Sequence, residues 1–280
     1  NYTKEKMSSD RVNPAKRMKA MIENYLEARK EGPKNGYEIR LVEPENYEHY
    51  YILVKPLAGV YKGQKYIMEM KTTYGRDADQ TQYPVNAPYV HFVSNIFHVN
   101  ISSNGGSICL DILKDKTKWS PLNSFDTIVQ NILLLFNEPN NGSPYNGEAS
   151  RVWVECEKYF KAKNHSGMTV QQSDDLYLEC FEPFICEAKR IMRTNNMKSF
   201  AKWFPELDPN AEDYKERLTA DNDELVQLEE SFNRLKLAAK KPSSAANSTV
   251  VSTTDQAADS STETQKDQQK KKNRWAKYQS

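Results

Sequence analysis

Apolar residues recur at helical spacing through Met18, Met21, Ile22, Tyr25 and Leu26, and the pattern predicts an amphipathic helix over about residues 13–31. Asn13 can cap it and Pro14 suits its first turn, while Gly32, Pro33 and Gly36 are expected to break it. The period then changes. "YEIRLV" (37–42), "HYYILVKP" (49–56) and "KYIMEMKTT" (65–73) are rich in β-branched and aromatic residues and separated by short breaks. They read as strands joined by hairpins into an antiparallel meander. After the polar loop "YGRDADQTQ", "APYVHFVS" (87–94) supplies a fourth, shorter strand.

Helical spacing resumes at Phe125, Ile128, Val129, Ile132, Leu133 and Phe136, a broad apolar face that predicts a central buried helix capped by Ser124. A third helix, about 148–163, carries Ala149, Val152, Trp153, Cys156, Tyr159 and Phe160 on one stripe. Ser173 is expected to open a further helix lined by Tyr177, Cys180, Phe184 and Ala188, with Pro183 kinking or splitting it. "FAKWFPELDP" (200–209) reads as an aromatic turn. A last helix, about 222–240, has Asp221 and Glu224 as a capping-box pair. Its stripe of Leu225, Leu228, Phe232 and Leu235 suits docking on the domain or on a partner. The fold class is α+β: a four-stranded antiparallel meander sheet with an N-terminal helix, a central buried helix and C-terminal helices. The expected divisions are an arm (1–11), a core (12–163), a helical extension (164–241) and a tail (242–280). The tail is rich in Ser, Thr, Ala, Gln and Asp and cannot bury enough apolar surface to offset chain entropy, so it is expected to be disordered. Its basic end, "KKKNRWAKYQS", suits a solubilising role or contact with nucleic acid, a phosphorylated surface or an import receptor.

Composition narrows the classes. Across 280 residues, 39 Lys and Arg balance 38 Asp and Glu, so the chain as a whole is not a basic nucleic-acid binder. No apolar run approaches the roughly 18 residues of a membrane span, and no signal peptide is expected. Cys109, Cys156, Cys180 and Cys186 are too few and too irregular for a disulfide framework, which points to reduced thiols in the cytoplasm or nucleus. None has C-x-x-C spacing and His165 is poorly placed to complete a zinc site, so neither a metal nor a cofactor is expected. Cys156 and Cys180 fall on apolar stripes and read as core.

Cys109 is different. It follows the turn-forming run Asn104, Gly105, Gly106, Ser107 and precedes "LDIL", so it is anchored on one side and exposed on the other. The thiol is either packing material or a nucleophile. Thiol chemistry needs access and an attacking thiolate, and a cysteine-hydrolase reading would need a histidine base, for which His98 is the nearby candidate. Near the start of the first helix, Lys16, Arg17 and Lys19 gain nothing from the helix dipole. They read as a solvated face or as a contact surface.

The run "YPVNAPYVHFVSNIFHVNISSNGGSICLDIL", then "KWSP", then "LLLFNEPNNGSP" resembles the catalytic core of the ubiquitin-conjugating enzymes. The order of elements agrees over about residues 12–163. The resemblance implies that Cys109 accepts ubiquitin, or a ubiquitin-like protein, from an activating enzyme as a thioester and passes it to a substrate lysine or a ligase. Asn100 matches an asparagine that steadies the active-site loop and can donate to the developing oxyanion. Ser143 falls where the family has Asp or Ser at the mouth of the site; serine orients an incoming lysine but supplies little of an acid's electrostatics. His98 matches a buried structural imidazole. Asn140 lies in the loop with Ser143, and Trp119 closes the cysteine loop. Lys16, Arg17 and Lys19 match the contact with the activating enzyme. Val85, Pro121 and Leu122 match the loops that dock RING or HECT ligases. The alternative is a non-catalytic variant of the same fold that binds ubiquitin or a ligase. Val99 replaces a proline after the histidine, and "SSNGGS", "KDKTK" and "YGRDADQTQYP" are longer than the usual links. These departures suggest a divergent member and put the reach from Asn100 to Cys109 in question.

Overall fold

The first helix, α1, spans Pro14–Asn35 and is capped by the Asn13 side chain, which accepts from the N–H groups of Ala15 and Lys16. It runs through Gly32 and Pro33, which were expected to break it, and ends at Gly36 in the left-handed conformation. Gly32 is needed there for close approach, because a Cβ would lie 2.8 Å from the Tyr37 ring. Met21, Tyr25 and Ala28 are buried beneath the helix. That packing, with the Gly36 cap, holds the final turn despite the N–H that Pro33 lacks.

This is a computed structural model, and it describes residues 13–74, 82–164, 166–212 and scattered positions between 214 and 233. The chain divides into two compact units, Asn1–Val226 and Gln227–Ser280; the elements named here belong to the first. Strands β1 (Tyr37–Leu41), β2 (His49–Val54), β3 (Tyr66–Lys71) and β4 (Tyr89–Phe92) form one sheet in the order β1-β2-β3-β4. All neighbours are antiparallel, with Ile39 opposite Ile52, Ile52 opposite Met68 and Met68 opposite Phe92. These residues share one face because side chains alternate along a strand.

Against that face lie α1 and α3 (Phe125–Asn137), whose six predicted apolar positions are all buried. Ser124 caps α3 by accepting the N–H of Thr127. Phe125 meets Tyr50 edge-on at 5.1 Å, and Phe136 meets Tyr61 at 4.9 Å. A short helix, α2 (Asp111–Lys114), follows the cysteine. Helix α4 (Gly147–Lys163) starts at an Asn146 cap. Helix α5 (Val170–Cys180) begins earlier than expected, because Thr169 and Gln172 form a complete capping box ahead of Ser173. Pro183 divides the next stretch at Phe181, and α6 (Glu182–Met192) continues from it. Phe184 of α6 is fully buried against Phe97 and Trp153, so α6 joins the core rather than standing apart.

The aromatic segment after α6 does more than turn. Leu53 and Ile67 are paired across β2 and β3 on the opposite face of the sheet, and both are fully buried with Phe204. Tyr51 meets Trp203 at 4.8 Å, and Trp203 Nε1 donates to the Val42 carbonyl at 3.0 Å. Glu206 pairs with Lys55 and Lys65. Residues 197–207, in two short 3-10 turns, therefore strap the outer face of the sheet. For the last helix, described positions between 214 and 233 have helical backbone; Asp221, Glu224, Leu228, Phe232 and Leu235 lie outside the described residues. So do the arm 1–11, His165, and the tail.

Candidate active site

Cys109 sits at the exit of a tight hairpin. Its N–H donates to Asn100 O at 2.8 Å, Ile101 bridges Ile108, and Ser102 N–H donates to Ser107 O. Gly105 and Gly106 turn the chain at φ 81° and 63°. Gly106 is required, because it lies flush on β4, its carbonyl accepting the Phe92 N–H at 2.9 Å: a Cβ would fall 1.9 Å from Phe92 O. The added length of this link is taken up in these two left-handed residues. Cys109 itself is a free, half-buried thiol. Its sulfur lies 3.8 Å from the Ser143 hydroxyl, which is exposed.

Asn100 is fully buried and clamps two loops together. Its Oδ1 accepts the Asn140 N–H at 2.8 Å, while its Nδ2 donates to Asn140 O at 2.7 Å and reaches Ser143 O at 3.5 Å. The side chain thus ties residue 100 to the 140–143 loop. Donation to an oxyanion is at odds with this arrangement, since the amide N–H groups already face the 140–143 carbonyls; it would require giving up that clamp. Asn140 also turns its own loop, its Oδ1 accepting the Gly142 N–H.

His98 is fully buried and holds the segment from below. Nδ1 accepts the Asn100 N–H at 2.9 Å and Nε2 lies 2.9 Å from Leu135 O. That pairing assigns the proton to Nε2. Burial pushes the imidazole down to about 4, because the charged form would lose its water. Tyr61 stacks on the ring at 5.4 Å. With both nitrogens taken, His98 is not a base for the thiol, and the cysteine-hydrolase arrangement is not formed. Val99, where a proline was the family's choice, is buried, and its carbonyl accepts the N–H groups of Tyr145 and Asn146.

Trp119 closes the far side. Its Nε1 donates to Pro84 O at 2.9 Å, and its ring meets Tyr83 at 6.1 Å. This ties the Val85 loop to the segment holding Pro121 and Leu122. Val85, Ala87, Ile112, Leu113 and Trp119 line a cleft of about 110 Å³. Val85, Pro121 and Leu122 are all exposed, Leu122 by 88%. The longer "KDKTK" link is absorbed by Asp115, which accepts from the Thr117 N–H and hydroxyl.

At the start of α1 the structure separates three residues that the sequence grouped. Lys16 and Lys19 are exposed. Arg17 is not available to a partner: its side chain is 9% exposed and pairs with Glu48 at 2.5 Å. Its Nε donates to Tyr83 O and its Nη2 to Thr73 Oγ1. The reason is position, since Arg17 shares the inward stripe with Met21. Sequence reasoning passed over Tyr145, which meets Lys114 across the two loops that flank the cysteine segment. Lys114 Nζ lies 3.6 Å from the centre of the Tyr145 ring; contacts between residues so far apart in the chain leave no local pattern.

A sequence model described as ubiquitin-conjugating enzyme matches residues 20–167, more than half of the chain. The chain belongs to the ubiquitin-conjugating enzyme family. Among similar family members, the Trichoderma harzianum "Ubiquitin-conjugating enzyme E2 2" is 43% identical over 74 residues, 26% of this chain and 47% of that protein. The Schizosaccharomyces pombe "Ubiquitin-conjugating enzyme E2-20 kDa" is 44% identical over 71 residues, 25% of this chain and 39% of that one. The chain thus spans about half the length of the curated relatives it matches. Among solved structures, the E2 domain of a Toxoplasma gondii ubiquitin conjugating enzyme aligns at 23% identity, covering 62% of this chain and 95% of that one, with a TM-score of 0.43.

Proposed function

We propose that this member of the family is an active conjugating enzyme whose Cys109 sulfur carries ubiquitin, or a ubiquitin-like protein, as a thioester. The observation that carries the reading is the half-buried free thiol on a hairpin locked by Asn100, with the Ser143 hydroxyl 3.8 Å from its sulfur. The Cys109 thiolate attacks the activated C-terminal carbonyl, the activating enzyme's thiol leaves, and the modifier stays on Cys109. A thioester is a stable but reactive acyl store, since a thiolate is a good leaving group for the next nucleophile. Lys16 and Lys19 form the exposed cationic face offered to the activating enzyme. Val85, Pro121 and Leu122 form the small apolar surface offered to a RING or HECT ligase, of the kind that suits a weak, exchangeable contact. The activity belongs in the cytoplasm or nucleus, where thiols stay reduced.

The test is charging. The protein is incubated with activating enzyme, ATP and ubiquitin and run on a non-reducing gel. The reading expects a reductant-labile adduct that Cys109→Ser abolishes or converts to a stable ester. No adduct with ubiquitin or any ubiquitin-like modifier would leave a non-catalytic binding variant in its place.

A further inference from the structure

We infer that Asn195 is a positioning residue for the cysteine segment, acting through Asn95; its effect on acyl transfer rests on the thioester reading above. Between β4 and the cysteine hairpin, residues 93–100 have no regular structure, yet they carry His98 and Asn100. Backbone groups outside a ladder need partners from elsewhere. At one end, the N–H groups of Val93 and Ser94 donate to Ile67 O on β3. Further on, the Tyr61 hydroxyl donates to Phe97 O at 2.8 Å, and His98 Nδ1 accepts the Asn100 N–H at 2.9 Å. Asn95 lies between these points. Both of its backbone groups are held by one side chain a hundred residues further along the chain.

Asn195 Oδ1 accepts the Asn95 N–H at 2.6 Å, and Asn195 Nδ2 donates to Asn95 O at 2.9 Å. Asn95 Nδ2 also reaches Thr194 Oγ1 at 3.4 Å. The Asn195 carboxamide offers one acceptor and one donor to a single residue, as a neighbouring strand would. Its own place is fixed from both sides. Before it, α6 is seated by the fully buried Phe184, and the Asn195 N–H closes the helix end on Met192 O at 3.1 Å. After it, the strap is seated by Phe204. Phe184 also packs on the Phe97 ring at 5.1 Å. The chain beyond α5 thus reaches residues 93–100 twice, at the Asn95 backbone and at Phe97. Asn195 itself lies beyond residues 20–167, the part that matches the family.

Asn95 is exposed, so water satisfies the same groups once Asn195 is removed. The pair therefore adds little to global stability and acts by selecting one backbone course at residue 95. From there the constraint runs through the buried Ile96 and Phe97 to His98 and Asn100, and Asn100 O holds the Cys109 N–H at 2.8 Å. Freed at Asn95, the segment opens locally while the core stays folded. Local opening exposes the half-buried thiol and scatters the placement of its thioester. Alkylation of a thiol needs access, whereas acyl transfer needs orientation. The two reactivities of Cys109 then move in opposite directions.

The experiment compares the full chain as wild type, Asn195→Ala, Asn195→Asp and Glu206→Gln. Uncharged protein is alkylated with iodoacetamide and mapped by peptide, which reads Cys109 separately from the buried Cys156 and Cys180. Preformed ubiquitin thioester, freed of activating enzyme and ATP, is chased with free lysine. In Asn195→Ala, Cys109 alkylation should rise and lysine discharge should fall, each about three- to tenfold, while Cys156 and Cys180 stay protected. Asn195→Asp keeps the acceptor and loses the donor, so both rates should fall between those of wild type and Asn195→Ala. Glu206→Gln breaks the pairs with Lys55 and Lys65 at the far end of the strap and should leave both rates at the wild-type level. Either Cys109 rate unchanged in Asn195→Ala, or a rise in alkylation shared by Cys156 and Cys180, would overturn the inference and leave the thioester reading standing. Failure of wild type to load would overturn the thioester reading, and the alkylation pattern would still decide whether Asn195 places the thiol.

Discussion

At the residue scale, the site rests on a few side chains with no freedom to change. Gly106 combines a left-handed backbone with the closest approach to β4, whereas Gly105 turns in open space. Gly106→Ala should therefore cost about 3 kcal/mol and Gly105→Ala about 1 kcal/mol in chemical denaturation, the difference being the collision with Phe92 O. Equal costs would mean that the hairpin does not lie on the strand. His98 gives a pH signature. Its folded value of about 4 lies below the ordinary 6.5, so between those values the unfolded chain binds a proton that the folded chain refuses. Stability contributed by the neutral ring is then complete above about pH 6.5, declines as pH falls, and is spent below about pH 4. The total is on the order of 3 kcal/mol. Wild type should lose about that much more than His98→Gln between those limits, measured by urea unfolding; parallel curves would show that the imidazole is not buried in its neutral form. Lys114 and Tyr145 belong to this scale too, and their pairing depends on the closed fold rather than on any local sequence pattern.

At the scale of elements, the strap of residues 197–207 is the feature with the largest energetic consequence outside the site. Phe204 is buried on Leu53 and Ile67. Phe204→Ala should destabilise the fold by about 3–5 kcal/mol, and Trp203→Phe by about 1 kcal/mol through the lost bond to Val42 O. Both are read by urea denaturation, and negligible effects would indicate that the strap is not seated on the sheet. The strap also shows where the sequence could be read and where it could not. Runs of β-branched and aromatic residues between short breaks located all four strands, and period-3.6 patterns located α1, α3 and α4, because each of these helices buries one face. The consecutive apolar residues Ile52, Leu53 and Val54, and Tyr66, Ile67 and Met68, report burial on both faces. They do not say what covers the second face. The cover comes from an aromatic stretch far along the chain with no periodicity of its own. Boundaries that depend on caps shifted for a similar reason: the Thr169–Gln172 box outcompeted Ser173, and Gly36 rather than Gly32 ended α1.

At the scale of the whole molecule, charge is nearly balanced, so recognition has to come from local patches rather than from net charge. The sequence marked Lys16, Arg17 and Lys19 together, but helical phase sends Arg17 inward to Glu48. Arg17→Ala should cost about 2–3 kcal/mol of stability, because it leaves the buried Tyr83 and Thr72 carbonyls without their donor. Lys16→Glu with Lys19→Glu should change stability by less than about 0.5 kcal/mol. That double variant should slow charging at low salt, with the difference shrinking as salt rises; unchanged charging kinetics would remove this face from the contact. The motif around Cys109 was legible because its residues are contiguous. The clamp between Asn100 and the 140–143 loop, and the denial of a histidine base, needed coordinates. The central claim is that the modifier is carried by the half-buried Cys109 and not by the exposed Cys186. Intact-mass analysis with peptide mapping of the charged protein tests it most directly. The account predicts a reductant-labile modifier adduct on the Cys109 peptide that survives Cys186→Ser and disappears in Cys109→Ser. A thioester that maps to Cys186, or persists in Cys109→Ser, would contradict it.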